Sequence, residues 1–396
     1  MPSRFLLSVL SLAVFLVGAT EFMVAPLLSP IAASFAATPT DATWLISGYA
    51  LAYALGAPLV GLVAHRIDRR ALLVTALLLL AADGLAVTLA PSLAVAIVLR
   101  VLGGLAAAAL VPTVFTLIAD LFARDRHAQA MGLAMLGMTA GIAGGPAMAG
   151  ILAESCGWRA PFLASVAGCL MLAPLVVRLV PGGGSASIQT AERLRFRVAG
   201  ATLRLFIAKA LWNGTAVAGF ALSAEFLRGR YGTDTAETGL AVTVFGLGLA
   251  LGNLAMGPAR RLLGTDAAVL TFAVFVLAAA IGAFFLVPLQ LPAALAALTV
   301  WGAALGLAAP ASTALLAERA GVAKAFWLAG SESANNIVLF AMLPLAAGAA
   351  TGFVLGAGMT LSLALLLADR RLQRRNRKAA SQRRKNDTGR RTDTVG

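Results

Sequence analysis

The sequence predicts an all-α integral membrane protein with 12 transmembrane helices, built as two six-helix bundles related by a pseudo-two-fold axis. Three observations predict it. The 396 residues are 60% apolar and 12% charged, with a mean hydropathy of +0.89, whereas soluble domains carry about a quarter of their residues as charges. Apolar stretches near the length that crosses hydrocarbon, about 20 residues, recur along the chain. The polar breaks between them alternate in charge. Barrel strands would be shorter and would alternate polar with apolar residues, so helices are expected.

The first six spans are expected at 5–28, 44–64, 71–90, 93–118, 130–152 and 161–180, and the second six at 203–227, 238–257, 267–287, 291–316, 325–349 and 351–368. The opening stretch imitates a secretion signal, with Arg4, an apolar run and then Val17, Gly18 and Ala19. Its apolar character continues through Phe22 and Pro26 to Leu28, so it reads as the first span.

One set of breaks is basic, with Arg66, Arg69, Arg70, Arg124, Arg126, the arginines of 193–197, Arg260, Arg261, Arg319 and Lys324. The other set offers Arg159, Arg228 and Arg230. The positive-inside rule then puts both termini in the cytoplasm and requires an even number of spans. The net charge of +14 concentrates at helix ends and in the tail, which suits the anionic inner face of a membrane rather than nucleic acid. Cys156 and Cys169 lie too far apart along one stretch of helix to bridge, which argues against redox chemistry.

The long polar break from Pro181, with Gly182, Gly183, Gly184 and Ser185, divides the spans six and six. It gives a first bundle over 1–180, a cytoplasmic linker over 181–200, a second bundle over 201–369 and a basic, disordered cytoplasmic tail over 370–396. A duplication leaves a trace, because aligning Gly61 with Gly252 also aligns Ala64 with Ala255, Arg69 with Arg260, Arg70 with Arg261 and Leu72 with Leu263.

The loop after the second span runs Gly61, three residues, His65, Arg66, Ile67, Asp68, Arg69, Arg70. It resembles the signature loop of the major facilitator superfamily, with His65 in place of an Asp and Asp68 in place of a Gly. Gly132, Gly141, Gly145, Pro146 and Gly150 in the fifth span resemble the antiporter signature of that family's drug exporters. Arg100, Gly103 and Gly104 resemble a motif of the fourth span, while Glu21, Phe22, Pro26 and Pro30 are similar to the opening of twelve-helix drug:proton antiporters and related sugar exporters. Trp158, Arg159 and Phe162 also fit.

The resemblance implies a monomeric exporter in the bacterial inner membrane, driven by the proton gradient without a cofactor, with a small-molecule substrate, protons and membrane lipid as its partners. It also implies that the first and fourth spans line the cavity, and that the loop from Gly61 to Arg70 is a conformational switch. In the resembled proteins the Asp of that loop steadies the outward-facing state against the start of the eleventh helix. Asp68 is a candidate to replace it; alternatively, Asp68 and His65 only solvate the loop.

Ionisable residues inside spans are costly and point to function. Glu21, Asp83 and Arg100 each lie eight or nine residues from the outer ends of their spans, roughly 12 to 14 Å deep at 1.5 Å per residue. Arg100 therefore has two acidic candidates at its own depth. Pairing with Asp83 gives a structural ion pair across the hairpin. Pairing with Glu21 gives a proton-coupling pair in the cavity, because moving a cation away from a buried carboxyl changes its proton affinity. In the second half, Glu332 with Asn335 and Asn336 forms one polar face, suited to substrate contact or to helix packing. Lys209 either joins Glu332 or snorkels to the surface. Trp212 and Asn213 are candidates to line the cavity beside Phe22.

His65 and His127, the two histidines, fall in expected loops, so no embedded His or Cys cluster is expected to hold a metal. An enzyme is not expected either, since no acidic or His-based cluster stands at a membrane face. A sensor would add a soluble domain. Export of drug-like compounds or amphipathic metabolites is thus the leading expectation, with sugar export as the alternative.

Overall fold

The computed structural model describes residues 4–182, 200–348 and 350–392. In hydrocarbon a backbone amide can be satisfied only within its own helix, and twelve long helices carry the described chain. They are α1 (Arg4–Phe22), α2 (Trp44–Val63), α3 (Arg69–Leu89), α4 (Leu93–Leu99 and Val101–Leu121, with one irregular residue at Arg100), α5 (His127–Cys156) and α6 (Arg159–Leu179). After the linker follow α7 (Gly200–Tyr231), α8 (Thr235–Leu263), α9 (Asp266–Leu286), α10 (Leu291–Ala320), α11 (Lys324–Ala346) and α12 (Thr351–Thr392). Beyond Phe22, α1 bends through a tight turn at Ala25–Leu27 into a short helix, Leu28–Ser34.

Eleven of these helices are long and apolar enough to cross a membrane. The remaining one, α11, is 23 residues long but carries Ser331, Glu332, Ser333, Asn335 and Asn336. Several helices outrun their apolar stretches because capping chemistry sets their ends. Asp68 accepts from the Ala71 amide at the start of α3, and Ser92 and Thr265 do the same for α4 and α9. Asp234 and Glu237 form a capping box on α8. Four connections reverse at a glycine with positive φ, at Gly157, Gly232, Gly264 and Gly321.

All of the linker expected over 181–200 except Pro181, Gly182 and Gly200 lies outside the described residues. The tail expected to be disordered from 370 is instead helical as far as Thr392. Arg, Lys, Gln and Ala are good helix formers and no proline interrupts them, so the helix that begins in the bundle propagates onward.

Lipid tails give helices no hydrophobic reason to associate, so close backbone approach does that work. Along α5, a Cβ at Gly145 would lie 2.8 Å from Ala19 Cα of α1, and Gly137 and Gly141 press closer still on the backbone at Ser11 and Phe15. The opposite face of α5 meets α8 in the second half. A Cβ at Gly239 would lie 2.9 Å from Gly150 Cα, and Gly246 abuts Ala143. Nearer the basic end, Gly132 and Gly257 face open space. These helices therefore cross tightly at the end remote from the basic loops and separate towards the basic end.

Other contacts close the same remote end. Glu225 of α7 accepts from the Ser29 amide at 3.1 Å and from the Ser29 hydroxyl, and it pairs with Arg228. Arg228 in turn donates to the Pro26 carbonyl at 2.9 Å. That carbonyl is free for a reason, because its helical donor would be residue 30, and Pro30 has no N–H. Thr40 donates to the Ala347 carbonyl at 3.0 Å, Trp44 packs edge-on to Phe340, and Glu154 accepts from the Thr235 amide at 3.2 Å. At the basic end a cavity of about 1090 Å³ opens between α1 and α5, lined by residues that include Ser8, Ser11, Phe15, Arg126 and Gln129.

If the α5–α8 crossing holds the remote end shut, Gly239→Val will pry it open. In a background with Cys156 and Cys169 replaced by Ala, a cysteine at Val217 should label several-fold faster from the remote side in the Val variant. An unchanged rate would show that the crossing does not control access.

Candidate functional site

The deepest charged pair joins α3 to α4. Arg100 donates to Asp83, and their side chains are 1% and 0% exposed. The sequence places a small residue where the carboxylate needs room, since a Cβ at Gly103 would lie 2.6 Å from Asp83 Oδ2. The Arg100 guanidinium also stacks over Tyr49 of α2, 4.7 Å from the ring centroid. Of the two partners open to Arg100 at its depth, the fold brings up Asp83, while Glu21 makes no hydrogen bond or ion pair among the described residues. The reason lies in direction around the helix: the α3–α4 hairpin turns Asp83 and Arg100 towards each other.

Glu21 sits where the halves meet. It borders a small cavity of about 20 Å³ with Phe22, Ala25, Ile46 and Tyr49 of the first half and Val217, Phe220, Ala221 and Leu339 of the second. Phe22 meets Phe220 across the boundary at 5.2 Å between ring centroids. Tyr49 is thus shared, touching Arg100 on one side and Glu21's cavity on the other. Its role was not foreseen, because a tyrosine in a membrane helix carries no sequence signal that distinguishes lining from packing.

In the second half, Lys209 does not snorkel to the surface; it is 2% exposed and donates to Glu332 at 2.9 Å and to Ser331 at 2.8 Å. Two acceptors on α11 hold its ammonium inside the bundle. Asn335 donates to the second Glu332 oxygen at 3.2 Å, and Asn336 donates to the Glu332 carbonyl. Trp212, expected to line the cavity, is instead fully buried in the core of the second half, and Asn213 is only partly buried. Aromatic bulk on α7 here fills the packing side of the helix.

The switch loop is tied into the first half. Asp68 caps α3, Arg69 pairs with Asp120 of α4, Arg70 donates to the Val177 carbonyl of α6, and Gly61 faces open space. Arg66 also makes a contact. Of the glycines that resemble the antiporter signature, Gly141 and Gly145 pack on α1, while Gly150 packs on α8 with Gly239, which also abuts the Pro146 carbonyl. Gly132 packs on nothing, and Gly137 takes the place expected for it. Glu225, Arg228 and Ser29 were also missed, because charges near a helix end read as solvated loop.

The family profile described as Major Facilitator Superfamily matches residues 10–227. A chloramphenicol resistance protein of Streptomyces lividans is 32% identical over 252 residues, 61% of this chain and 63% of that protein. The chain therefore matches less than two thirds of that relative's length. The inner membrane transport protein YdhP of Escherichia coli is 26% identical over 366 residues, 91% of this chain and 92% of its own length. Among solved structures, a D-xylose-proton symporter superposes with a TM-score of 0.75 at 15% identity, over 91% of this chain and 96% of the other. At that identity the likeness is one of fold.

Removing one member of a buried ion pair strands the other charge, which costs about 3 to 5 kcal/mol. Arg100→Ala should accordingly lower the melting temperature in detergent sharply, and adding Asp83→Asn should recover most of the loss. A double variant no more stable than Arg100→Ala would mean that the pair does not hold α3 to α4.

Proposed function

The chain belongs to the major facilitator superfamily, and from its central site we propose a transporter that exports small amphipathic molecules in exchange for protons by alternating access. One observation carries this reading. Glu21 is a carboxyl without a hydrogen-bonding partner among the described residues, at the apolar boundary between the halves and below the contacts that close one end. A charge there is costly, and a proton removes it. Protonation from one side would therefore permit the rearrangement that exposes Glu21 to the other, and cargo binding would favour release of the proton.

The surroundings favour amphipathic cargo over sugar. Around Glu21 the lining is Phe, Ala, Ile, Val and Leu with Tyr49, whereas a sugar needs several hydrogen-bonding side chains. The larger cavity at the basic end mixes apolar faces such as Leu12, Phe15 and Leu133 with Ser8, Ser11 and Gln129 at its border. Under the positive-inside rule that end is cytoplasmic, as are both termini. The state described here is then the inward-facing one, from which an exporter loads. The membrane would be the bacterial inner membrane, and the protein would work as a monomer.

Glu21→Gln keeps the shape and removes the titration. In proteoliposomes carrying an imposed proton gradient, uphill movement of an amphipathic test compound such as chloramphenicol should stop in this variant, while its binding in detergent persists. Normal uphill movement by the Gln variant would falsify Glu21 as the proton carrier.

A further inference from the structure

Tyr49 of α2 carries a hydroxyl that packing does not explain. Its ring is held in place twice over. The Arg100 guanidinium lies against one face, and a Cβ at Gly104 would sit 2.3 Å from the Tyr49 carbonyl oxygen, so α4 presses on the backbone that carries the ring. A phenylalanine would hold the same place and would also stack on Arg100. The hydroxyl, in contrast, is buried and makes no hydrogen bond among the described residues, on a residue that is 2% exposed. A buried phenol normally finds a partner, because leaving one unpaired is costly.

That partner lies across the cavity that Tyr49 shares with Glu21. Among the residues bordering it, Glu21 and Tyr49 alone have polar side chains; the others are Phe, Ala, Ile, Val and Leu. Its volume of about 20 Å³ suits one water, which needs about 10 to 15 Å³ and at least two polar partners. Arg100, Asp83, Tyr53 one turn along α2, and Glu332 of α11 are the other charged or titratable groups near the pair. None of them borders the cavity.

We propose that Glu21 and Tyr49 hold one water between them, and that Tyr49 is the positioning residue for the proton on Glu21. A hydroxyl both donates and accepts, so this chain of three works in either state of the carboxyl. With Glu21 ionised, Tyr49 donates to the water and the water donates to the carboxylate. With Glu21 protonated, its O–H donates to the water, and the water donates to the Tyr49 oxygen. Tyr49 keeps its own proton throughout. Glu21 therefore gains or loses a proton while each of the three groups keeps a partner, and a phenylalanine at position 49 would break the chain. This inference deepens the transporter reading and rests on it only for the use made of the proton; the hydrogen bonds need no gradient.

The test is acid-minus-alkaline infrared difference spectroscopy on the purified full-length protein in detergent. The C=O stretch of protonated Glu21 is the band that disappears in Glu21→Gln. Tyr49→Phe, which retains the stack on Arg100, should move that band to the higher frequency of an acid without a hydrogen-bonding partner. Ala221→Val keeps Tyr49 but fills the cavity, so it should displace the water and move the band the same way. If Tyr49→Phe fails to fold by size-exclusion chromatography, Ala221→Val carries the test. A band unmoved in both variants overturns the proposal, as does a wild-type band already at the free-acid frequency. A band that moves in Tyr49→Phe but not in Ala221→Val overturns the water site in favour of direct contact. If the export reading alone were wrong, these shifts would stand while the Glu21→Gln transport comparison failed. If this inference alone were wrong, Glu21→Gln would still stop transport and the band would stay in place.

Discussion

Everything in this molecule follows from the inability of hydrocarbon to hydrogen-bond. It forces the backbone into helices, and because lipid is as apolar as leucine it leaves helix association to close contact and to a few polar links. The glycines of α5 meet that requirement twice, against α1 within one half and against α8 across the boundary. The first contact makes α1 and α5 one rigid unit. The second lies between the two halves, and a seam of backbone against small residues can part without leaving polar groups unsatisfied.

The same constraint sorts the charges. Asp83 and Arg100 are paired with each other and sealed from solvent, so they serve as a fastener. Glu21 has no such match, and Glu332 is paired with Lys209 but half exposed. Between the sealed pair and Glu21 stands Tyr49, bearing the Arg100 guanidinium on its face. A shift of α2 during opening would move that ring, linking the fastener to the site by packing alone.

The fold was legible because spanning length and loop charge are local properties that a single sequence carries in full. Helix ends were less so, since Asp68, Ser92, Asp234 and Thr265 set them through capping contacts that hydropathy does not register. The depth of each buried charge could be counted from the nearest loop, which placed Glu21, Asp83 and Arg100 at one level. Their direction around the helix could not be counted, because it depends on how neighbouring helices pack. That is why the partner of Arg100, the burial of Trp212 and the inward reach of Lys209 emerged only from the fold. The signature glycines of α5 meet different neighbours, and Gly132 none, for a related reason: motif spacing gives a row of glycines but not which neighbour each one meets.

At the closed end, two of the groups that tie α1 to α7 belong to the backbone, the Ser29 amide and the Pro26 carbonyl. Backbone groups survive nearly any substitution, so drift along α1 leaves most of the latch intact, while on α7 it hangs on the side chains of Glu225 and Arg228. Pro30 is the exception. It has no hydrogen to donate to either of those side chains, yet by withholding an amide it keeps the Pro26 carbonyl vacant for Arg228, and any other amino acid there would supply a rival donor from within the helix. The release force of the latch is thus written partly in a residue that takes no part in it.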